Sequence, residues 1–481
     1  MNSAVSETSV ARPAPTMRKP HLSELDRLRI ITALSVVAVH TLGNSTFLDP
    51  TPSALTLQNA FITSFHFTRE VFMFVTALAL VYVYYGKPFD TGRFWRKRAL
   101  GVLLPYTIWT LIYVIANKHP TSIGGFIWTS LTAVLTGDAS YQLYYILLTL
   151  EFYLIFPVVL RLLPRLARHL KATLAVSFAL EVVILFLDHQ ALPAMSLTPG
   201  ASTFLNQFLD RFVLVYQFYF VLGALVALHL PQIKALLLRH SGWVICGGIA
   251  ALVALEANFL VQVLALHVRI SDAVAVLQPM MAPYSLGAIA FLYWLALTLA
   301  QRTARRNAKR VERIWGNLSD AAFGVYLAHP LLLGAALAVV APMLRAWLPV
   351  ALTVALLWII TAAGSVGVTL ALLKTPVLSR LMGRPGPTPP WLARWLAQWR
   401  AWRSTAGARI APVVASNGAT WRKLPALVVF PARSVAASQA GQTGQAERAS
   451  RCQRSRSNPP ALGWNDGDTS HDLTNARTGG E

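Results

Sequence analysis

The sequence predicts an all-α, polytopic membrane protein with about ten transmembrane helices and both termini in the cytoplasm. Hydrophobic residues make up 55% of the 481 positions and charged residues only 13%, and the mean hydropathy is +0.50. Soluble domains carry about 25% charged residues, so this composition is typical of a chain that crosses a membrane repeatedly. Runs of about 17 to 25 apolar residues, the length that spans a bilayer, recur along it. Their approximate positions are 30–48, 61–85, 99–116, 141–163, 172–187, 211–230, 243–266, 277–300, 321–341 and 348–373.

The basic residues between these runs support the count of ten, because cytoplasmic loops of membrane proteins carry the excess of Lys and Arg. The segments assigned to the cytoplasm, which are the N-terminus, 86–98, 161–171, 231–242 and 301–320, hold 22 basic residues. The segments assigned to the other side hold four. A short apolar segment, 123–136, would break this alternation as a span, so we predict that it is re-entrant or interfacial.

Composition divides the chain into four regions. Residues 1–23 are predicted to form a disordered cytoplasmic N-terminus without a cleaved signal peptide, and 24–384 the membrane domain. Residues 385–404 include WLARWLAQWRAWR, whose Trp and Leu side chains lie largely on one helical face. This pattern favours an amphipathic helix at the membrane surface, in contact with membrane lipids. Residues 405–481 are rich in Ala, Ser, Gly and Arg, which predicts a disordered basic tail.

Several functional classes lack their sequence signals. The net charge of +22 could indicate a nucleic-acid partner, but the basic residues lie where membrane topology puts them, so no nucleic acid is expected. Two cysteines, Cys246 and Cys452, cannot supply a disulfide framework or a Cys-rich metal site, and no metal or bound cofactor is expected. The chain has no Walker A, Rossmann, HExxH or GxSxG motif, so nucleotide hydrolysis, zinc proteolysis and serine hydrolysis are not supported.

Ionisable residues inside the predicted spans are the candidate functional residues, since a charge at the bilayer centre costs about 2.5 to 3.5 kcal/mol on insertion scales. Counted at about 1.5 Å per residue, five such residues from four spans lie near one depth. They are His40, Arg69, Glu70, Glu151 and His329. If the four spans are neighbours, these side chains line one buried polar cavity.

Arg29 and His40 belong to the first span and its cytoplasmic end. Eleven positions at about 100° each turn through about 1100°, close to three full turns, so both residues face the same way. A cation at the cytoplasmic mouth can bind phosphate groups, and an imidazole at the midplane can act as a base. Coenzyme A, with phosphates at one end and a reactive group on a long arm, fits this geometry.

At these residues the sequence resembles the acyltransferase 3 family, integral-membrane O-acyltransferases that modify bacterial surface glycans. The resemblance covers about residues 24–384 and is most specific in LDRLRIITALSVVAVH, which contains Arg29 and His40. The weaker matches follow in the family's order and are REVFMFVTALAL, FWRKRALGVLLPY, EFYLIFP, the region of Gly223, and LSDAAFGVYLAHPLLL. The resemblance implies acyl-CoA as the cytoplasmic donor, a saccharide hydroxyl as the acceptor, and the bacterial inner membrane as the location.

Two positions depart from the family pattern. Where the family often has two arginines three residues apart before the third span, this chain has Arg98 and then Gly101. The frequent Ser-Gly of the second span is Thr76-Ala77. The acyl group is therefore expected to be acetyl, from acetyl-CoA, only because acetyl is the family's most common cargo.

The catalytic prediction centres on His40. We expect it to act as general base toward the acceptor hydroxyl, or to carry the acyl group transiently, with Glu70 and Glu151 orienting the reacting groups. The alternative is that His40 is only a hydrogen-bonded interior histidine, and that Glu151 is structural.

The binding prediction assigns Arg29 and Arg98 to the CoA phosphates, and Arg69 and His329 to the substrate. Each has an alternative. Arg29 and Arg98 could be topogenic residues that flank a span, and Arg69 could form a bridge between helices. His329 precedes Pro330, which disrupts backbone hydrogen bonding in the preceding turn, so His329 could instead cap a freed carbonyl.

Two other functional classes stay open at this point. Polar groups at the midplane also describe the pathway of a secondary transporter or glycan exporter, although no internal repeat is visible. An unrelated lipid- or protein-modifying membrane acyltransferase would also use a buried histidine.

The topology can be tested with reporter fusions. A reporter that is active only in the cytoplasm should work when fused after residues 98, 171, 240 or 313, because the preceding basic clusters keep those loops inside. Activity from fusions at 55, 120 or 270 would contradict ten spans.

Overall fold

The computed structural model describes residues 19–191, 208–384, 394–395 and 397–398. Every regular element in these ranges is helical, which confirms the predicted all-α class. The α-helices are α1 Ser23–Asn44, α2 Pro52–Ser64, α3 Thr68–Tyr84, α4 Thr91–Arg98, α5 Leu104–Tyr113, α6 Ile123–Thr136, α7 Tyr144–Arg168, α8 Leu170–Phe186, α9 Gln217–Leu228, α10 Leu230–Arg239, α11 Ser241–Leu260, α12 Ile270–Ala273, α13 Met281–Arg305, α14 Lys309–Ala335, α15 Ala341–Arg345 and α16 Val350–Leu373.

Shorter helical turns join or extend these helices. The 3-10 turns are Thr46–Leu48, Leu209–Arg211, Val213–Tyr216 and Leu378–Met382. The π-helical turns are Ala99–Leu103, Val114–Lys118, Leu187–Ala191, Val261–Ala265 and Ala336–Val340.

Eight helical segments in the described ranges are long and apolar enough to cross a membrane. Each coincides with one of the predicted spans, so the polytopic prediction is confirmed. The segments are Pro52–Tyr84, Thr91–Lys118, Tyr144–Arg168, Leu170–Gln190, Ser241–Ala265, Met281–Arg305, Lys309–Arg345 and Val350–Leu373.

The sixth and first predicted spans differ from these eight. The sixth is a pair of helices, Val213–Leu228 and Leu230–Arg239, that meet at 98° and together would make a ninth span. Pro231 lies in the first turn of the second helix, where its missing N–H is tolerated. The first predicted span forms helix α1. It is not among the eight segments that are apolar enough to cross a membrane, because it includes Arg and His residues. Ten spans with cytoplasmic termini therefore stay a prediction.

The short apolar segment 123–136 forms α6, which is shorter than the membrane-crossing helices. Ser122 caps its start by accepting a hydrogen bond from the backbone N–H of Gly125 at 3.0 Å. Gly137 follows its end in the left-handed conformation, with φ of +74°. Many of its apolar side chains, such as Trp128, are exposed. Its re-entrant or interfacial position stays a prediction.

The predicted terminal regions lie mostly outside the described residues. Of the N-terminal region only 19–23 is described, and of the interfacial helix only 394–395 and 397–398, which are helical. The predicted tail, 405–481, lies wholly outside them. All described residues belong to one compact unit, Met1–Arg403.

Helix α3 packs against α9 with their backbones in direct contact. A Cβ atom added at Gly223 in α9 would lie 2.2 Å from the carbonyl oxygen of Phe74 in α3. Small residues allow such close approach of helices in membranes, where van der Waals packing replaces the hydrophobic drive. Gly223 thus fixes the position of α3, which bears Arg69 and Glu70.

Helix α1 packs against α14 through charged and polar contacts near its start. The fully buried Arg27 forms an ion pair with Glu312 at 2.6 Å and lies 5.4 Å from the ring centroid of Trp315. Ser319 donates a hydrogen bond to Asp26 at 2.9 Å. These contacts set the register of α1 against α14.

Substitution of Gly223 tests the α3–α9 contact. Gly223→Ala should destabilise the protein by about 1 to 3 kcal/mol, because overpacking forces two backbones apart. The matched control is Gly367→Ala in α16, where a Cβ would meet nothing within 4 Å and alanine favours the helix. Thermal unfolding in detergent measures both, and equal melting temperatures for the two variants would contradict the close contact.

Candidate functional site

Helix α1 is unbroken from Ser23 to Asn44, so Arg29 and His40 lie about 16 Å apart along its axis. In the structure these two residues belong to different parts of one region. Arg29 lines a cationic cavity, and His40 packs in a cluster of rings beyond the cavity's inner end.

The cavity has a volume of about 840 Å³ and lies between α1, α3, α4, α7 and α14. Along α3 it extends from Val83 to Phe72. Five of its lining residues are cationic, and one, Asp320, is acidic. The cations are Arg29, Lys97, Arg98, Arg380 and Arg384. A cavity with this excess of positive charge attracts phosphate groups.

The predicted phosphate-binding pair, Arg29 and Arg98, lies in this cavity. The nearest carboxylate oxygen to Arg29 is on Asp26, at the outer limit of an ion pair, 4.0 Å. Arg98 places its guanidinium 4.8 Å from the ring centroid of Tyr153 and 5.3 Å from that of Phe94. Its buried Nε has no hydrogen-bond partner among the described residues. Both arginines thus keep donors available for a ligand.

Arg384 is a further cavity cation that the sequence analysis missed. The turn Leu378–Met382 returns to α5, where Trp109 donates a hydrogen bond to the Leu381 carbonyl at 3.0 Å. Gly383 then adopts φ of +71°, and a Cβ there would lie 2.6 Å from the Gly101 carbonyl oxygen. The next residue, Arg384, pairs with Asp320 at the cavity.

No sequence signal identified Arg384, because a basic residue after the last span looks topogenic. The related sequence feature is Gly101, which stands where the family often has a second arginine, so this chain has one cation fewer at that point. The structure brings Arg384 beside that glycine.

Three aromatic rings close the inner end of the cavity. Phe72 lies 6.1 Å from Tyr145 and 6.4 Å from Tyr326, and the two tyrosine rings are 6.1 Å apart, measured between centroids. Tyr145 donates a hydrogen bond to the Arg69 carbonyl at 3.2 Å, and Tyr326 donates one to the Gln142 carbonyl. We call these three rings the aromatic floor.

His40 and His329 stack beyond the aromatic floor, with ring centroids 5.3 Å apart and planes at 21°. Tyr141 packs on His40 at 4.3 Å, and Tyr326 lies 6.0 Å from His329. The structure therefore brings together two residues that lie on the first and ninth predicted spans.

The hydrogen bonding of His329 indicates that its Nδ1 bears a hydrogen. Its Nδ1 lies 3.2 Å from the carbonyl oxygen of Val325, and because a carbonyl only accepts, Nδ1 bears the hydrogen. Nδ1 therefore donates to a carbonyl of the preceding turn, and the buried Nε2 is left without a hydrogen-bond partner among the described residues.

Arg69 and Glu70 lie in the first turn of α3, one turn beyond the cavity. Arg69 donates a hydrogen bond to the Tyr144 hydroxyl at 3.3 Å. Glu70 is 3% exposed, and its Oε2 has no partner in the described chain. No ion pair joins these two neighbours within the described ranges, as the 100° between adjacent helical residues predicts.

The carboxylate of Glu151 contacts the backbone of the chain. Its carboxylate accepts a hydrogen bond from the backbone N–H of Val213 at 2.9 Å, which satisfies the start of the 3-10 turn Val213–Tyr216. This contact is structural, and a catalytic role for Glu151 stays a prediction.

A common cavity lined by all five midplane residues stays a prediction. The number of residues from the end of a span gives only the depth of a residue in the membrane. The direction of its side chain depends on how the helix is rotated about its axis. None of the five lines the cationic cavity. Within the described residues no cluster of three His, Cys, Asp or Glu could hold a metal ion.

The fold and the site define a multi-pass membrane protein with a cationic cavity that ends beside a buried histidine pair. A family model described as an acyltransferase domain, that of the acyltransferase 3 family, matches residues 22–374, and the chain belongs to this family. The protein is therefore a membrane acyltransferase, as the resemblance implied. No curated protein and no solved structure matches the chain.

Proposed function

We propose that the protein is an O-acetyltransferase of the bacterial inner membrane, moving acetyl from acetyl-CoA to a hydroxyl of a cell-surface polysaccharide or its lipid-linked precursor. The observation that supports it best is the arrangement of one cavity with five cations, an aromatic floor, and the histidine pair behind that floor. The family match supports an acyltransferase over the transporter alternative.

The donor would bind in the cationic cavity. Its phosphates would contact Arg29, Arg98 and Arg384, since guanidinium groups bind phosphate in a bidentate fashion. Its apolar arm would follow the wall of α3 past Ala79 toward Phe72. A volume of about 840 Å³ is within the range of about 300 to 1,000 Å³ for small-molecule sites.

His40 would act as the general base. The acceptor oxygen attacks the thioester carbonyl while His40 takes the hydroxyl proton. The carbon–sulfur bond then breaks, the acyl–oxygen ester remains, and the protonated His40 returns its proton to the CoA thiolate. In the variant mechanism His40 itself holds the acyl group between two such transfers.

The aromatic floor adds a condition to this mechanism. Phe72, Tyr145 and Tyr326 line the cavity, and Tyr326 also lies 6.0 Å from His329, so we place these rings between the donor and the histidine pair. The thioester would reach His40 only when one of these rings rotates away, which also keeps water from the thioester until the acceptor has bound.

Substitutions at Arg29 and His40 should separate donor binding from chemistry. Arg29→Lys keeps the charge but loses the bidentate fork, so acetyl-CoA binding should weaken while turnover persists at high acetyl-CoA. His40→Gln can form hydrogen bonds but cannot take the proton, so turnover should fall about 10²- to 10⁴-fold with donor binding kept. Acetyl-CoA binding and transfer rates to an isolated glycan measure these effects.

Two results would contradict those roles. Near-normal transfer by His40→Gln would remove the general base. Loss of turnover in Arg29→Lys with unchanged acetyl-CoA binding would remove the phosphate contact.

Arg384→Ala tests the cation that the sequence did not identify. We expect at least about a tenfold loss of acetyl-CoA affinity, because a charged hydrogen-bond partner of the phosphates is removed. The matched control is Arg93→Ala, since Arg93 is an exposed arginine on α4 that does not line the cavity. Equal affinities for the two variants would exclude Arg384 from the donor site.

A further inference from the structure

Arg69 lies in the membrane-spanning part of the protein without a carboxylate partner. Its Nη1 contacts the Tyr144 hydroxyl, and its Nη2 is buried with no hydrogen-bond partner among the described residues. Within the described ranges no carboxylate oxygen lies within ion-pair distance of it. A buried guanidinium without a counter-ion lowers the stability of the fold by several kcal/mol unless a ligand compensates its charge.

Other unpaired polar atoms surround Arg69. The Tyr216 ring lies 5.8 Å below the guanidinium, and its buried hydroxyl has no partner in the described chain. His66 is 7% exposed, and its Nδ1 has no hydrogen-bond partner among the described residues. Both His66 and Arg69 interact electrostatically with His40. Such a set of unsatisfied groups in one place is typical of a ligand site.

A second arginine adds to the positive charge. The Arg211 guanidinium lies 5.6 Å from the ring centroid of Tyr144, the residue whose hydroxyl contacts Arg69. Asp210 is 3.7 Å from Arg211 and offsets one of the two charges. Burial raises the pKa of the Asp210 carboxyl above its usual value, and the charges of Arg69 and Arg211 oppose this shift. Glu70, the neighbour of Arg69, is also buried, and it forms no ion pair with Arg69 among the described residues. The guanidinium of Arg69 is therefore the cation left to contact a ligand.

This group lies on the far side of the aromatic floor from the donor cavity. Arg69 precedes Phe72 by one turn of α3, and the cavity begins at Phe72. The Arg69 carbonyl accepts from Tyr145, a ring of the floor, and the nearby Tyr141 packs on His40 at 4.3 Å. A molecule held at Arg69 would therefore approach His40 from the side opposite to CoA.

We propose that Arg69, with Tyr144 and Tyr216, binds an oxyanion of the acceptor, so that the acceptor is an acidic saccharide rather than a neutral one. This inference rests on the proposed acetyl transfer and specifies its acceptor class. The oxyanion is either a sugar carboxylate or the phosphate that joins a sugar to a lipid carrier. Both present paired oxygens that match the guanidinium fork.

Binding and transfer with three probes test the inference on the full-length protein in detergent. The probes are 4-nitrophenyl β-glucuronide, glucose 1-phosphate and the neutral 4-nitrophenyl β-glucoside. Binding is measured without acetyl-CoA, and transfer by the release of CoA thiol from acetyl-CoA. We expect at least one anionic probe to bind about tenfold tighter than the neutral glycoside. Preference for the glucuronide identifies a sugar carboxylate, and preference for the phosphate identifies a sugar phosphate.

Two variants test whether Arg69 is responsible. Arg69→Gln should abolish the preference for the anionic probe while acetyl-CoA binding stays unchanged, because Arg69 does not line the donor cavity. Tyr216→Phe keeps the ring and should weaken anion binding several-fold. The control is Tyr82→Phe at the other end of α3, where the hydroxyl donates only to the Pro20 carbonyl and no change is expected.

Three outcomes would overturn the inference. They are equal binding of all probes, a preference that persists in Arg69→Gln, and an equal loss of anion and acetyl-CoA binding in that variant, which would indicate a structural role. Failure of the proposed function can be distinguished from failure of this inference. It would give no thiol release with any acceptor and no acetyl-CoA binding, while an Arg69-dependent anion preference could still be measured.

Discussion

The packing of α1 against α14 holds both ends of the candidate site in position. Near the start of α1, Arg27 pairs with Glu312 at 2.6 Å, and about four turns later His40 stacks on His329 at 5.3 Å. Both helices are continuous between these contacts. The separation between Arg29 at the cavity and the histidine pair is therefore set by helix geometry, which is stiff, and not by loops.

The cost of burying polar groups explains much of the remaining arrangement. Glu256 accepts a hydrogen bond from Ser64 at 2.7 Å, and Glu181 lies near the amide of Gln217 at 3.4 Å. These carboxylates have structural partners, as a polar group in apolar surroundings requires. By contrast, Arg69 Nη2 and His329 Nε2 lack partners among the described residues. His329 stacks on His40 at 5.3 Å, so its unpaired nitrogen belongs to a residue in contact with the proposed base.

The aromatic floor divides the site into two chemically different parts. On one side, five cations line a cavity, and on the other the rings of Tyr141 and His329 pack on His40. An enzyme that holds a thioester benefits from such a division, because phosphate binding needs charge and polar donors while the thioester must be kept from water. Phe72, Tyr145 and Tyr326 come from three different helices, so the division exists only in the assembled fold.

The sequence by itself determined the helical class, most of the membrane spans and the pairing of Arg29 with His40 on one helix. These features depend on local hydrophobic length and on the fixed rotation of about 100° per residue, which a linear chain already contains. The assignment of Arg98 to the phosphate site came from the family resemblance, and the structure has Arg98 in the cavity.

Only the tertiary structure decided which midplane residues meet. Glu151 has the predicted depth but accepts a hydrogen bond from the Val213 backbone. Which neighbour a helical side chain meets depends on how its helix packs, and the sequence does not contain that information. Arg384 reaches the cavity through the left-handed Gly383 against Gly101, a contact between segments far apart in the chain. The stacking of His40 on His329 is likewise non-local, since two helices far apart in the chain must be placed before it can form.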